Sequence, residues 1–327
     1  MADLRLSDLL NPPTSADPVW YRSRGRKFER VLNQFLLDEQ MEPHTSMRPR
    51  GEEIDGSFVM ENRYFLLEAK WHKEPIPASD LYAFKGKVDG KLIGTIGVFF
   101  SMSDYSTEAV DALLKGKELN VILFGYNDLI SIEKRRITMR EALKIKLRSA
   151  ATYGLPFYSI ESHLLSVVTS TKLEKGLGSK QAWNIIVEGE EDVRTIKTLL
   201  SRFEISSEFT ILAAGGQLSV SSLSAQLVDS GNTNIAAIIT PIKDLEAQSK
   251  QIAELKALEI ELIILPAPLE DWLDNYITTE YHNGTFFLSN NAGKMARRYA
   301  RNANLEMLLS DNPSFSSLIK NLKDNQI

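Results

Sequence analysis

The sequence predicts an α/β protein with two successive sheets, and three observations carry that expectation. Short apolar runs alternate with amphipathic stretches through both halves of the 327 residues, the pattern of strand–helix units whose sheet is covered on both faces. A polar stretch, SVVTSTKLEKGLGSKQ, separates two such systems. The length exceeds the roughly 100–200 residues of one domain, and a composition that is 43% hydrophobic supplies a core for each half.

The elements follow in order. Residues 1–20, with Pro12, Pro13 and Pro18, read as an irregular lead-in. From Gly25 to Gln40, Phe28, Val31, Leu32, Phe35 and Leu36 recur at helical spacing. After a Pro-containing loop come two strand runs, Ile54–Met60 and Tyr64–Trp71, joined by Glu61-Asn62-Arg63. A helix runs from Ala78 towards Val88 and ends at Asp89-Gly90. IGTIGVFFSM and ELNVILFG read as buried strands, with the capped helix SDYSTEAVDALLKG between them and a short helix at Asn127–Lys134 beyond. This first α/β domain spans 21–150, and a linker is expected at 151–180.

The second domain, 181–270, repeats a strand–helix pattern: AWNIIVEG, EFTILAAGG, NIAAIITP and IELIILP are strands with helices between them, which predicts a largely parallel sheet. The tail, 271–327, with Trp272, Tyr276, Phe286, Phe287 and the basic GKMARRYARN, reads as a helical extension on that sheet.

The chain has no Cys and only four His, scattered singly. That excludes a disulfide scaffold, a thiol nucleophile and thiolate zinc, and disfavours imidazole zinc. A bound metal would rest on carboxylates, which points to a hard ion such as Mg²⁺. No targeting segment and no membrane-length apolar run is visible, so a cytoplasmic protein is expected. The 38 Lys and Arg against 43 Asp and Glu give a net charge of −5, yet basic residues cluster. Arg22, Arg24, Arg26, Lys27 and Arg30 surround the start of the first helix, and residues 131–150 hold a second basic run. Each suits a phosphate-facing surface or an ordinary solvated helix face.

The segment EEIDGSFVMENRYFLLEAKWHKE carries the chemistry. A hairpin centred between Glu61 and Asn62 sets Asp55 directly across from Glu68, where like charges repel. Lys70 shares the face of Glu68, because strand side chains alternate with period two. Two carboxylates beside an ammonium can hold Mg²⁺ and activate water next to a phosphodiester. The competing reading is a salt-bridge ladder on a surface hairpin, against which stand the flanking Ile54, Phe58, Leu66 and Leu67.

On these residues, Asp55-Gly56 followed by Glu68-Ala69-Lys70, then a helix and a strand, the chain resembles the restriction-endonuclease-like superfamily with its PD-(D/E)xK signature, and within it the Mrr-like branch. The resemblance implies a mixed sheet flanked by helices. It implies Asp55, Glu68 and the Ala69 carbonyl as metal ligands for Mg²⁺ or Mn²⁺, Lys70 as the residue that orients or deprotonates water, and Glu29 as an acid near the metal. Ile54 stands where the signature has proline. Lys73, Lys85 and Lys87 are candidates for contacts to the DNA backbone.

In the second domain, the strand NIIVEG with Glu188, followed by an acidic helix start, is similar to the first motif of Toprim domains. Where those domains carry Asp-x-Asp, this chain has Thr240 and Ile242, with only Asp244 nearby. The resemblance implies a Toprim-like fold whose metal chemistry is lost; the alternative is a generic α/β domain in which Glu188 caps a helix.

The expectation is therefore a Mg²⁺-dependent DNA endonuclease of restriction or phage-defence type. It would act as a homodimer and carry a possible site for a regulatory ligand or protein partner in its C-terminal domain. A repair or recombination nuclease on branched or damaged DNA, or a nucleic-acid-binding sensor with vestigial nuclease residues, are the alternatives.

Overall fold

A computed structural model describes residues 4–47, 53–115, 118–164, 182–277 and 292–323. They divide into two compact units, residues 1–164 and 165–327. No helix among the described residues is long and apolar enough to cross a membrane.

The first unit begins with helix α1 (Leu6–Leu10), whose Leu6 and Leu9 are buried. The irregular lead-in is thus corrected in part: two leucines three residues apart drive one helical turn into the core. Helix α2 (Pro18–Asp38) starts seven residues before Gly25, where the sequence placed it. Pro18 occupies the first helical position, where its fixed φ suits the helix and its missing N–H leaves nothing unbonded. The Asp17 side chain caps the end by accepting from Trp20 N at 2.8 Å.

Strands β1 (His44–Met47), β2 (Ile54–Met60), β3 (Arg63–Lys70), β4 (Ile96–Ser101) and β5 (Val121–Phe124) form one mixed sheet in that order. β2 runs antiparallel to both β1 and β3, and β3, β4 and β5 run parallel. Helices α3 (Ala78–Asp89) and α4 (Thr107–Leu114) supply the crossovers. They bury Leu81, Phe84, Val88, Ala109 and Val110 on one face of the sheet, while α2 buries Phe28, Val31, Leu32 and Leu36 in the core on the other.

Helices α5 (Tyr126–Glu133) and α6 (Met139–Tyr153) complete the unit. One of the basic residues of 131–150 is core: Lys146 is fully buried, pairs with Asp128 at 2.7 Å and donates to Tyr158 O at 2.6 Å. The linker expected from 151 begins inside this unit, because Leu155, Phe157, Tyr158 and Ile160 are buried. Residues 165–180 of that stretch lie outside the described residues, as do Phe286 and Phe287 of the tail.

The second unit is a four-stranded all-parallel sheet of β6 (Trp183–Val187), β7 (Phe209–Ala213), β8 (Ile235–Ile239) and β9 (Glu261–Ile264) in the order β7-β6-β8-β9. The crossover helices are α7 (Glu190–Leu200), α8 (Ser219–Asp229) and α9 (Leu245–Ala257). Helices α10 (Leu269–Asp274), α11 (Ala292–Asn302), α12 (Leu305–Asp311) and α13 (Pro313–Lys323) follow. They bury Trp272, Ala300, Leu308, Phe315 and Leu318 against the strand residues Ile185, Val187 and Ile263.

Candidate active site

The hairpin of β2 and β3 positions the carboxylates. Glu61 and Asn62 sit at φ 51° and 61°, the left-handed pair that a two-residue hairpin turn requires to match strand twist. Met60 opposes Arg63 and Gly56 opposes Leu67, so the register is the one that sets Asp55 across from Glu68. Gly56 has a local reason as well. A Cβ there would lie 3.0 Å from His44 O, so its absence lets β1 close against the strand beside Asp55.

The backbone ladder between β2 and β3 stops at Gly56 and Leu67. Beyond it the Asp55 side chain takes over, with Oδ2 accepting from Ala69 N at 2.9 Å. Glu68 is buried, 6% exposed. Its Oε2 accepts from Lys87 Nζ at 2.8 Å, and its Oε1 lies 3.5 Å from Lys70 Nζ. Glu68, Lys70 and Lys87 therefore form one charged cluster at the C-terminal end of β3, with Asp55 held next to it through Ala69.

Each acid feels the others. Burial pushes the Asp55 carboxyl above the ordinary Asp value; the Ala69 N–H opposes this and the Glu68 charge adds to it. Glu29, on α2, is pushed up to about 6, first by burial and then by Asp55, with Arg26 opposing. Glu29 is thus near enough to Asp55 and Glu68 to feel their charge.

This donor set fits a hard divalent cation. Asp55 and Glu68 supply anionic oxygens, and Mg²⁺ is commonly held by one or two carboxylates with water completing its shell. Among the described residues no group of three or more His, Cys, Asp or Glu side chains converges in metal-ligand geometry.

The three candidate DNA-contacting lysines fare differently. Lys85 is corrected: only 5% exposed, its ammonium donates to Asp89 Oδ1, Glu118 O and Asn120 Oδ1 at 3.0, 2.8 and 2.7 Å. A cation with all three protons committed is a structural pin and is closed to phosphate. Lys87 is bound to Glu68, a role in the site itself that spacing did not reveal. Lys73 is exposed.

In the second unit, Glu188 follows β6 and is buried. Its Oε1 accepts from Thr240 N at 2.7 Å and from Thr240 Oγ1 at 2.9 Å. The reading of Glu188 as a helix cap is corrected, because its carboxylate points to β8 and the capping acid of α7 is Asp192, which accepts from Gly189 N at 2.9 Å. Burial, then the Glu188 charge, pushes Asp192 up to about 7. Sequence reasoning missed Asp192, although its place three residues beyond Gly189 is that of a capping acid. Asp244 is likewise a cap: it accepts from Glu246 N and Ala247 N at the start of α9.

A mixed five-stranded sheet with an acid pair and a lysine at the end of its central strand is consistent with a restriction-endonuclease-like fold. Residues 21–132 match the Mrr_cat family model, described as restriction endonuclease. No curated protein matches the chain. Among solved structures, the chain is similar to a protein of unknown function designated AF1548, at 14% identity and a TM-score of 0.26, over 71% of this chain and 96% of that one. It is also similar to MspJI restriction endonuclease in complex with a 27-mer oligonucleotide, at 14% identity and a TM-score of 0.27, over 51% of this chain and 42% of that one.

Proposed function

We propose that the protein is a Mg²⁺- or Mn²⁺-dependent endonuclease that hydrolyses phosphodiester bonds of DNA, of restriction or phage-defence type. The observation that carries this reading is the meeting of Asp55, Glu68 and Lys70 at the end of β3, within the residues that match the family model. Asp55, Glu68 and the Ala69 carbonyl would hold the ion, which when bound supplies charge neutralisation at the phosphate and acidifies water. Lys70, 36% exposed on its side chain, orients the attacking water and holds its proton-accepting geometry. Lys87 holds the Glu68 carboxylate in place through its 2.8 Å contact. Glu29 adds negative charge beside Asp55 and so strengthens the attraction for a cation.

Cutting both strands of a duplex needs two such sites, which a symmetric homodimer supplies. For the second unit we read a Toprim-like fold without its own metal chemistry. The parallel sheet, Glu188 after its first strand and the satisfaction of that carboxylate by Thr240 support this reading. Such a unit is suited to bind a regulatory ligand or protein partner.

Plasmid DNA incubated with wild-type protein and Mg²⁺ should be nicked or linearised, EDTA should stop the reaction, and Asp55→Ala and Lys70→Ala should each reduce it by at least about a hundredfold. Undiminished cutting by either variant overturns the assignment. Cutting that starts only when a nucleotide or partner is added would locate regulation in the second unit.

A further inference from the structure

The basic cluster at the start of α2 is interleaved with aromatic rings, and the catalytic reading does not use it. Arg24 is stacked among three rings: its guanidinium carbon lies 4.4 Å from the Trp71 centroid, 5.3 Å from Tyr21 and 5.8 Å from Trp20. Lys27 Nζ lies 5.5 Å from Trp20. All four distances are within the range of cation–π attraction.

Two features distinguish this cluster from ordinary packing. Arg24 pairs with no carboxylate among the described residues, and its Nε is buried without a hydrogen-bond partner, so its charge is not neutralised by a described acid of the unit. Tyr21 is 47% exposed and stands edge-on to Trp20 at 5.1 Å, which leaves ring surface open beside that cation.

The cluster also abuts the candidate site from two directions. Trp71 directly follows Lys70, so their Cα atoms are about 3.8 Å apart. Trp71 packs edge-to-face on Phe28 at 5.5 Å, and Phe28 directly precedes Glu29. The rings are thus one residue along the chain from Lys70 and from Glu29, at the end of β3.

We propose that Trp20, Tyr21, Arg24 and Trp71 form a stacking platform for an unstacked nucleobase flanking the scissile phosphate, with Arg24 beside that nucleotide's phosphate; this rests on the nuclease reading. An aromatic face beside an unpaired guanidinium binds any base by its π-face and any phosphate by charge, so the ligand class is a single-stranded or locally unpaired stretch of nucleic acid.

Binding is measured without metal, so that no cleavage intervenes, using a fluorescent single-stranded oligodeoxynucleotide, the same strand with abasic sites, and the same strand in a fully paired duplex. Wild-type protein should prefer the intact strand to the abasic one by about tenfold, and Tyr21→Ala and Arg24→Gln should erase that preference while changing duplex affinity by less than about twofold. Equal binding of intact and abasic strands by wild type, no single-strand binding at all, or a Tyr21→Ala protein that keeps the preference overturns the platform. If a variant fails to fold, the wild-type comparison decides alone. A cluster that merely pins α2 to the sheet would lower the melting temperature of Arg24→Gln and leave base preference unchanged, which also overturns the proposal. Base preference without Mg²⁺-dependent cutting refutes the nuclease reading and leaves the platform standing; cutting without base preference does the reverse.

Discussion

Lys87→Met should destabilise the first unit by about 2 kcal/mol, and the structure sets that size. Glu68 is 6% exposed, and the lost partner is a charge-assisted hydrogen bond of 2.8 Å from a side chain only 23% exposed. Such a bond contributes about 1.5–3 kcal/mol, and stripping a buried pair of one partner costs about 3–5 kcal/mol. Lys70 remains 3.5 Å away on the other oxygen, which offsets part of the loss and brings the figure to the lower range. At about 2–4 °C per kcal/mol for a unit of this size, the melting temperature should fall by roughly 4–8 °C. Differential scanning calorimetry in EDTA measures it. The Lys87→Met/Glu68→Gln double variant should regain part of the loss, because a neutral amide needs no ammonium beside it. Under the proposed function, Mg²⁺ should raise the melting temperature of Lys87→Met more than that of wild type, since both cations address the same carboxylate. A Lys87→Met protein that melts with wild type, or a double variant whose losses simply add, refutes this account of the site.

Lys146→Met leaves the Asp128 carboxylate, 2% exposed, with only the Gly125 and Ile160 N–H groups for compensation and should cost about 3 kcal/mol in urea unfolding; a loss below about 1 kcal/mol would contradict the buried ion pair. Glu29, pushed up from 4.5 to about 6, takes up protons more readily folded than unfolded. Its stabilising share is therefore complete below pH 4.5 and lost as pH rises through about 6. Glu29→Gln should accordingly melt higher than wild type above that pH in EDTA, and the two should differ in slope between the two values; parallel curves would exclude the effect. Asp192, pushed up from 3.8 to about 7, predicts the same sign in the second unit. Carbon-13 NMR of its carboxyl should show a midpoint near neutrality, and a midpoint near 4 would contradict its burial beside Glu188.

The hairpin was legible because two polar residues between strands force a tight turn, and that turn fixes which carboxylates meet. The early start of α2 was not, because proline reads as a breaker unless its position in the first turn is known. Strand β1 escaped as well: HTSM has no apolar alternation and pairs with β2 alone, at the sheet edge. The two buried lysines carried a signal that went unused. Leu81, Phe84, Lys85 and Val88 share one buried helix face, as do Met139, Ala142, Leu143 and Lys146. A lysine on the apolar stripe must take its partners into the core with it. Lys87 lies off that stripe, and nothing in the local sequence says that α3 will carry it to Glu68. The meeting of Glu188 with Thr240 is further out of reach. It depends on β8 lying beside β6, which strand order decides and spacing does not.

The two units solve one problem in different ways, and the difference bears on where chemistry can occur. Glu68 and Glu188 are both buried acids at the end of an interior parallel-paired strand, and each needs compensation in a medium that penalises bare charge. Glu188 is compensated by a backbone N–H and a short hydroxyl on the neighbouring strand. Those donors are fixed by the fold, because Thr240 directly follows β8, the strand paired with β6. Glu68 is compensated by two ammonium groups on flexible four-carbon stems, which can swing aside as an ion enters without moving any strand. A carboxylate held by mobile cations is exchangeable in its partner; one held by backbone is not. The proposed metal chemistry thus falls to the first unit on the same physical ground that keeps the second unit's acid closed.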